Sequence, residues 1–431
     1  MPAISEVKAL QVLDGRGDPT LEVRVVLDSG AEGRAIVPAG KSKGRHEALE
    51  LRDGDPARYR GNGVLKAGKN VEELIGPALK GRDPSDQAGV DALLRELDGT
   101  GNFGRLGSNA AIGVSLACAR AAAAGAGLPL HVSLNREGAY ELPLPQVSII
   151  GGGLHADNPL EFQDFLVVPI GADSFSEAVH MAWSVRRAAG ARVRDMGHPL
   201  LVGDGGGFAP PLRKNHLAVE LVLSSIEDAG YRPGEDVVVA LDVAANHLRE
   251  GDGYIVDGSP IPREALVDLF GQWVKRYPIA SIEDPFDEDD FAPWQALTSA
   301  IGETVQLVGD DLFVTNPGRL ASGIEKGMAN AVLVKPNQIG TLTETLAVIH
   351  QAQTAGYEVV LSIRSGETED AFIADLAVAT GAGQIKLGSL ARSSRVAKFN
   401  QLLRIESMLG PNAVFHRTMR GSAPGISGSG R

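Results

Sequence analysis

The sequence of 431 residues contains a single cysteine, Cys118, so no disulfide can form within the chain and a reducing compartment is expected. Basic residues are in deficit, 41 Lys and Arg against 54 Asp and Glu, for a net charge of −13. That balance excludes a general nucleic-acid or membrane-surface binder, which needs a basic field, and leaves room only for a local basic pocket facing a small anion. Long hydrophobic runs are missing too. No uncharged apolar stretch reaches the roughly 18 residues that a membrane span needs, and the most apolar segment, NAAIGVSLACARAAAAGAG, is interrupted by Arg120. The opening MPAISEVKAL lacks the basic-then-apolar pattern of a secretion signal. The expectation is a soluble cytoplasmic protein with neither nucleic-acid nor membrane partners.

What is present supports a large core. Hydrophobic residues make up 43% and charged residues 22%, a globular composition. The length exceeds one ordinary domain of about 100–200 residues and fits a barrel with a smaller companion. Alternation in LEVRVVLDSG and GRAIVPAG, joined by Asp28-Ser29-Gly30, predicts antiparallel strands. Helical stretches follow near 70–98 and 108–126, the second rich in small residues and expected to pack closely. Pro143 and Pro145 mark a boundary, giving an α+β capping domain over 1–137 and a second domain over 138–420. The Gly/Ser-rich stretch 421–431 reads as a flexible tail.

Past residue 140 a rhythm sets in. Short apolar runs each end in a polar residue and lead into a helical stretch: Asp242, Glu283, Asp310, Lys335, Arg364 and Lys386 close successive runs. Apolar strands alternating with helices predict a parallel sheet covered on both faces, and repetition over this length predicts a closed (β/α)8 TIM-like barrel. In such a barrel the active site lies at the carboxyl ends of the strands. Three carboxylates there, Asp242, Glu283 and Asp310, form an all-oxygen set suited to Mg²⁺. Any one of them alone would pass for a helix cap or a surface ion pair. Lys335 and Lys386 close later strands at the same mouth. A partly desolvated lysine beside cations serves as a general base; for Lys335 that reading leads, and for Lys386 it stands level with simple neutralisation of the acids. Two glycine-rich segments carry no signal: AGKSKG has Ala35 where a phosphate-binding loop needs glycine, and GDGGGF opens no dinucleotide fingerprint.

These residues, with the segments LDGRGDPTLEV, HEALELRDGD, IEDP, LVGDDLFVTNP, KPNQIGTLTETL, RSGETEDAFIADLAVATGAGQIK and RSSRVAKFNQLLRIE, make the chain resemble the enolases over essentially its whole length. The resemblance implies an α+β cap and a modified barrel with an antiparallel early part. It implies one or two Mg²⁺ ions, held by Asp242, Glu283 and Asp310 and, for a second ion, by Ser42 on a mobile loop. It further implies Lys335 as the base, Lys386 as a carboxylate-binding group, and Arg364 with Ser365 as a phosphate clamp. His155 and Gln163 fall on substrate-side loops, and the family habit is a homodimer or higher homo-oligomer.

The departures cluster by task. Where the family pattern reads GDEGGF this chain has Gly205, so the glutamate that acts as general acid is gone. Where it reads SHRSGE this chain has Ile363 for the histidine. Asp164 shortens the glutamate of QEF; Gly151, Pro336 and Leu387 also differ, and the lid carries extra positive charge at Lys41 and Lys43. The ion-binding and proton-abstracting half is intact, while the half that expels a 3-hydroxyl is missing. Losing a general acid costs about 10²–10⁴-fold. The pattern is similar to that of the enolase paralogues of phosphonate pathways, the carboxyphosphonoenolpyruvate synthases. It implies a small phosphorylated substrate and a nucleotide-activated second one, with phosphonoformyl transfer as the activity. Two alternatives stay open: dehydration of 2-phosphoglycerate with a replacement acid such as Asp164, and a non-catalytic paralogue.

Overall fold

The computed structural model describes residues 2–420, so the segment 421–431 lies outside the described residues. The cap opens with a three-stranded antiparallel sheet, β1 (Ile4–Leu13), β2 (Pro19–Leu27) and β3 (Glu32–Ile36), in which Glu22 faces Ile36 across the expected turn. The small-residue stretch is one helix, Ser108–Ala126, buried along most of its length against this sheet. Gly33 shows how close the approach is. A Cβ there would sit 2.2 Å from the Ala117 carbonyl, so only glycine lets strand and helix touch. The same helix is the one segment among the described residues long and apolar enough to cross a membrane, and its burial in the cap accounts for that composition. The predicted helix over 70–98 is instead broken. Helical turns run to Leu79, Gly81 adopts φ +80°, and a new helix Gln87–Asp98 starts where the Asp86 carboxylate accepts from the Gly89 N–H at 3.0 Å.

The second unit is a closed barrel of eight strands: β4 (Leu144–Gly151), β5 (Asp164–Val168), β6 (Val238–Asp242), β7 (Ile279–Glu283), β8 (Gln306–Gly309), β9 (Ala331–Val334), β10 (Glu358–Ser362) and β11 (Gly383–Lys386). From β6 around to β4 the neighbours are parallel, as the rhythm predicts. β5 departs from it, running antiparallel to both β4 and β6. The cause is the connection. β4 and β5 are joined by a loop without the crossover helix that a parallel pair requires, and two helices, Phe175–Asp195 and Asn215–Asp228, follow β5 in succession. Reversal brings the first residue of β5 to the mouth where the other strands end, so Asp164 pairs with Gly151 on one side and Asp242 on the other.

Inside the barrel the floor is polar. Gln146, Gln306 and Gln384 are buried and bonded to one another at 2.7–3.0 Å, with Ser281 completing the layer. Mutual satisfaction of their amides removes the penalty of burying them. Cap and barrel are tied by two part-buried pairs, Arg120 to Asp370 at 2.7 Å and Arg95 to Glu344 at 2.7 Å, and by a buried one, His131 to Asp375 at 3.2 Å.

Candidate active site

Strand register decides which side chains meet. Asp242 and Glu283 are partners at the ends of β6 and β7. Lys386, at the end of β11, places its Nζ 2.6 Å from Asp242 Oδ2 and 2.6 Å from Glu283 Oε2. All three are buried. Burial, and then the charge of Asp242, pushes the Glu283 carboxyl up to about 8. Burial opposes the ammonium form of Lys386, but Asp242 and Glu283 outweigh it and hold that lysine well above its ordinary value. Lys386 is thus paired with both carboxylates at once.

Asp310 follows β8 and belongs to a different pairing. Lys335, just past β9, sets its Nζ 2.5 Å from Asp310 Oδ2, and Gln338 donates to Oδ1 at 2.9 Å. Burial alone would raise the Asp310 carboxyl; Lys335 and Arg364 reverse that and hold it low. The buried acids nearest Asp310 are Asp284 and Asp311, close enough for the three to hold one ion. Asp284 accepts the backbone N–H groups of Asp310 at 3.0 Å and Asp311 at 2.8 Å, so it pins the turn that presents Asp310. Asp242 and Glu283 converge on the Lys386 Nζ at 2.6 Å, and their donor set is hard oxygen. Gln163 donates to Asp242 at 3.1 Å, while its buried Oε1 has no partner among the described residues. This chemistry fits a divalent cation such as Mg²⁺.

On the far side of the mouth Arg364 follows β10. Its guanidinium is gripped by Glu47 at 2.9 and 3.1 Å, by Asn337 at 3.1 Å and by the Ser42 carbonyl at 3.1 Å. Ser365 Oγ accepts the Lys41 N–H at 2.8 Å, so the loop 40–44 lies folded over the mouth and Ser42 reaches the pocket wall. The two lid lysines separate. Lys41 Nζ lies 3.8 Å from Asp204 and Lys43 is tied to Glu50 at 2.8 Å; neither lines the pocket itself.

The pocket gathers Ser42, His155, Gln163, Asp164, Asp242, Lys335, Arg364, Ser365 and Lys386, with Gly205, Ile363 and Arg395. Asp164 accepts from Ser148 Oγ at 2.7 Å, and its Oδ1 is buried without a partner among the described residues. Burial pushes its carboxyl up to about 7. His155, buried and with Nε2 likewise unpartnered, is pushed down to about 3 by desolvation and stays neutral. A Cβ on Gly205 would find Asp164 Oδ2 and Ser148 Oγ no nearer than 3.8 Å, so the position is open. Ile363 is buried and lines the same pocket. Sequence reasoning missed Glu47, Asn337, Ser148, Gln338 and Arg395. Glu47 and Arg395 sit in the quoted segments HEALELRDGD and RSSRVAKFNQLLRIE, but only the fold shows what they touch.

A capped barrel with buried acids and lysines at the carboxyl ends of its strands defines an α/β enzyme of the TIM-barrel class. Residues 4–134 match the family described as Enolase, N-terminal domain, and residues 139–422 match Enolase, C-terminal TIM barrel domain. The chain belongs to the enolase family.

Proposed function

We propose that the protein is a Mg²⁺-dependent enzyme that transfers a phosphonoformyl group from a CMP-activated donor to a phosphoglycerate. The observation that carries this reading is the contrast within one pocket: Lys335 and the carboxylates are present, yet the place beside Asp164 is occupied by Gly205 and walled by Ile363. Bound Mg²⁺ would supply charge stabilisation for the substrate's oxyanions, held by Asp242 and Glu283 with Asp310 alongside. Arg364 and Ser365 would take the acceptor's phosphate, with Glu47 giving way. Lys335 would accept the proton of the acceptor hydroxyl as its oxygen bonds to the donor phosphorus and the bond to CMP breaks. No hydroxide leaves, so no acid is needed at Gly205.

Dehydration of 2-phosphoglycerate is the second reading, and one observation favours it: Asp164, pushed up to about 7, is a buried carboxyl that can carry a proton. Purified protein with Mg²⁺ separates the two. Release of CMP dependent on both substrates supports transfer. Conversion of 2-phosphoglycerate alone to phosphoenolpyruvate at the usual enzyme rate of about 1–10³ s⁻¹ overturns it.

A further inference from the structure

Arg364 and Arg395 differ in what they have left to offer. Both terminal nitrogens of Arg364 are engaged by Glu47, Asn337 and Ser42. Arg395 is 1% exposed, and its terminal nitrogens donate to Ser394 Oγ at 2.8 Å and to the carbonyls of Ser365 at 2.5 Å and Arg364 at 3.3 Å. Its Nε, buried in the pocket wall, has no partner among the described residues. An unmet buried donor costs about 1–3 kcal/mol, more on a charged group. A cation fixed by three bonds with one donor left over is arranged for an acceptor that the protein does not supply.

That donor belongs to the wall of the space at Gly205. Gly388, which separates them, lies so near that a Cβ there would meet the Gly205 carbonyl at 2.6 Å and Arg395 Cγ at 3.3 Å. The loop 203–207 is held from behind by two further arginines. Arg392 donates to the Gly203 carbonyl at 3.2 Å, and Arg186 to the Gly206 carbonyl at 3.3 Å and to Ser389 Oγ at 2.8 Å. The acid on this loop, Asp204, is faced by Lys41 at 3.8 Å. Neutral His155 adds a second unpartnered nitrogen. Asp164 Oδ2, 3.8 Å from a Cβ placed at Gly205, is the anion nearest the space, but over the whole pocket Lys335, Arg364, Lys386 and Arg395 outnumber Asp164 and Asp242.

We propose that the space at Gly205, with Arg395 Nε as its principal donor and His155 beside it, is a second oxyanion subsite that takes a phosphonate or phosphate group additional to the one at Arg364. The subsite deepens the transfer reading, since an activated phosphonate donor carries such a group, and its own test does not depend on turnover. Methylphosphonate is the probe, titrated by ³¹P NMR into the full-length protein with Mg²⁺, alone and again with saturating 2-phosphoglycerate. Wild type binds it in both conditions. Arg395→Gln weakens that binding by about tenfold or more, as expected for one charge-assisted hydrogen bond. Because Arg395 also supports the Arg364 loop, Gly205→Glu is the second variant. Its backbone is in an ordinary region and its surroundings are open, so the added carboxylate fills and repels without strain, and methylphosphonate binding is lost while calorimetry still reads Mg²⁺ binding. Full competition by 2-phosphoglycerate in wild type, or unchanged affinity in Gly205→Glu, overturns the subsite. Methylphosphonate binding that survives 2-phosphoglycerate and disappears in Gly205→Glu, in a protein that releases no CMP, upholds the subsite and removes the transfer reading alone.

Discussion

The two sides of the mouth are built on opposite terms. On one side stand Asp242, Glu283, Asp310, Lys335 and Lys386, and each of these five has a counter-charge within 2.6 Å. On the side of His155, Gln163, Asp164 and Arg395, four buried polar atoms have no partner among the described residues. The first arrangement makes a barrel mouth that can exist without ligand, because desolvated charges are tolerable when paired. The second leaves penalties standing, which is the expected signature of a surface shaped for a ligand instead of for the fold. Stability and specificity are thus separated in space across one pocket.

The largest effect expected from breaking this comparison is on the paired side. Asp242→Ala leaves the buried Lys386 ammonium with Glu283 as its remaining counter-charge at 2.6 Å, so the loss should stay below the about 3–5 kcal/mol that stripping a buried charge of its partner costs. Urea denaturation should show that loss, and calorimetry should show Mg²⁺ affinity falling with it. A variant of wild-type stability and Mg²⁺ affinity would mean that the carboxylates do not act as a unit. Glu47→Gln comes next. It breaks the grip on Arg364 across the cap–barrel boundary, so the melting temperature should fall, while the anion affinity of the freed guanidinium should rise. A fall in both would make Glu47 part of the binding surface and not a displaceable occupant.

On the unpaired side the effect should run the other way. Restoring an acid and a histidine with Gly205→Glu and Ile363→His should raise the rate at which 2-phosphoglycerate becomes phosphoenolpyruvate, followed by ³¹P NMR. The gain should be partial, because Gly151, Asp164 and Leu387 also differ and catalytic groups act non-additively. A double variant no faster than wild type would mean that these two positions do not limit dehydration.

Much of the paired side was legible before any coordinates, because β6, β7 and β11 end on Asp242, Glu283 and Lys386, and the residue after β8 and β9 is Asp310 and Lys335. A period-based reading finds what ends a strand. It does not find Asp164, which begins β5 and reaches the mouth only because that strand runs backwards; resemblance alone pointed to it. Nor does it find Glu47 or Arg395, whose partners lie 317 and 30 residues away. Long-range pairs of this kind leave no local pattern. Helix 70–98 failed for a local reason that was visible, Gly81 and Pro84, which outweighed the helical composition around them.

The smallest effect distinguishes two neighbours on the lid. Lys41 and Lys43 look equivalent in sequence, yet Lys41 faces Asp204 at the edge of the Gly205 space and Lys43 is bound to Glu50, which also holds Arg52 at 3.0 Å. Lys43→Ala removes one half-exposed ion pair, worth about 0–1 kcal/mol, and should leave anion affinity nearly unchanged. Lys41→Ala should weaken methylphosphonate binding modestly, and the difference between the two variants should shrink as salt is raised, since a half-exposed charge is screened within a Debye length of about 8–10 Å at 0.1–0.15 M ionic strength. Equal losses from both substitutions at low salt would mean that the lid rearranges on binding and carries Lys43 off Glu50 into the pocket. The partition between the two sides of the mouth would then hold only before ligand arrives.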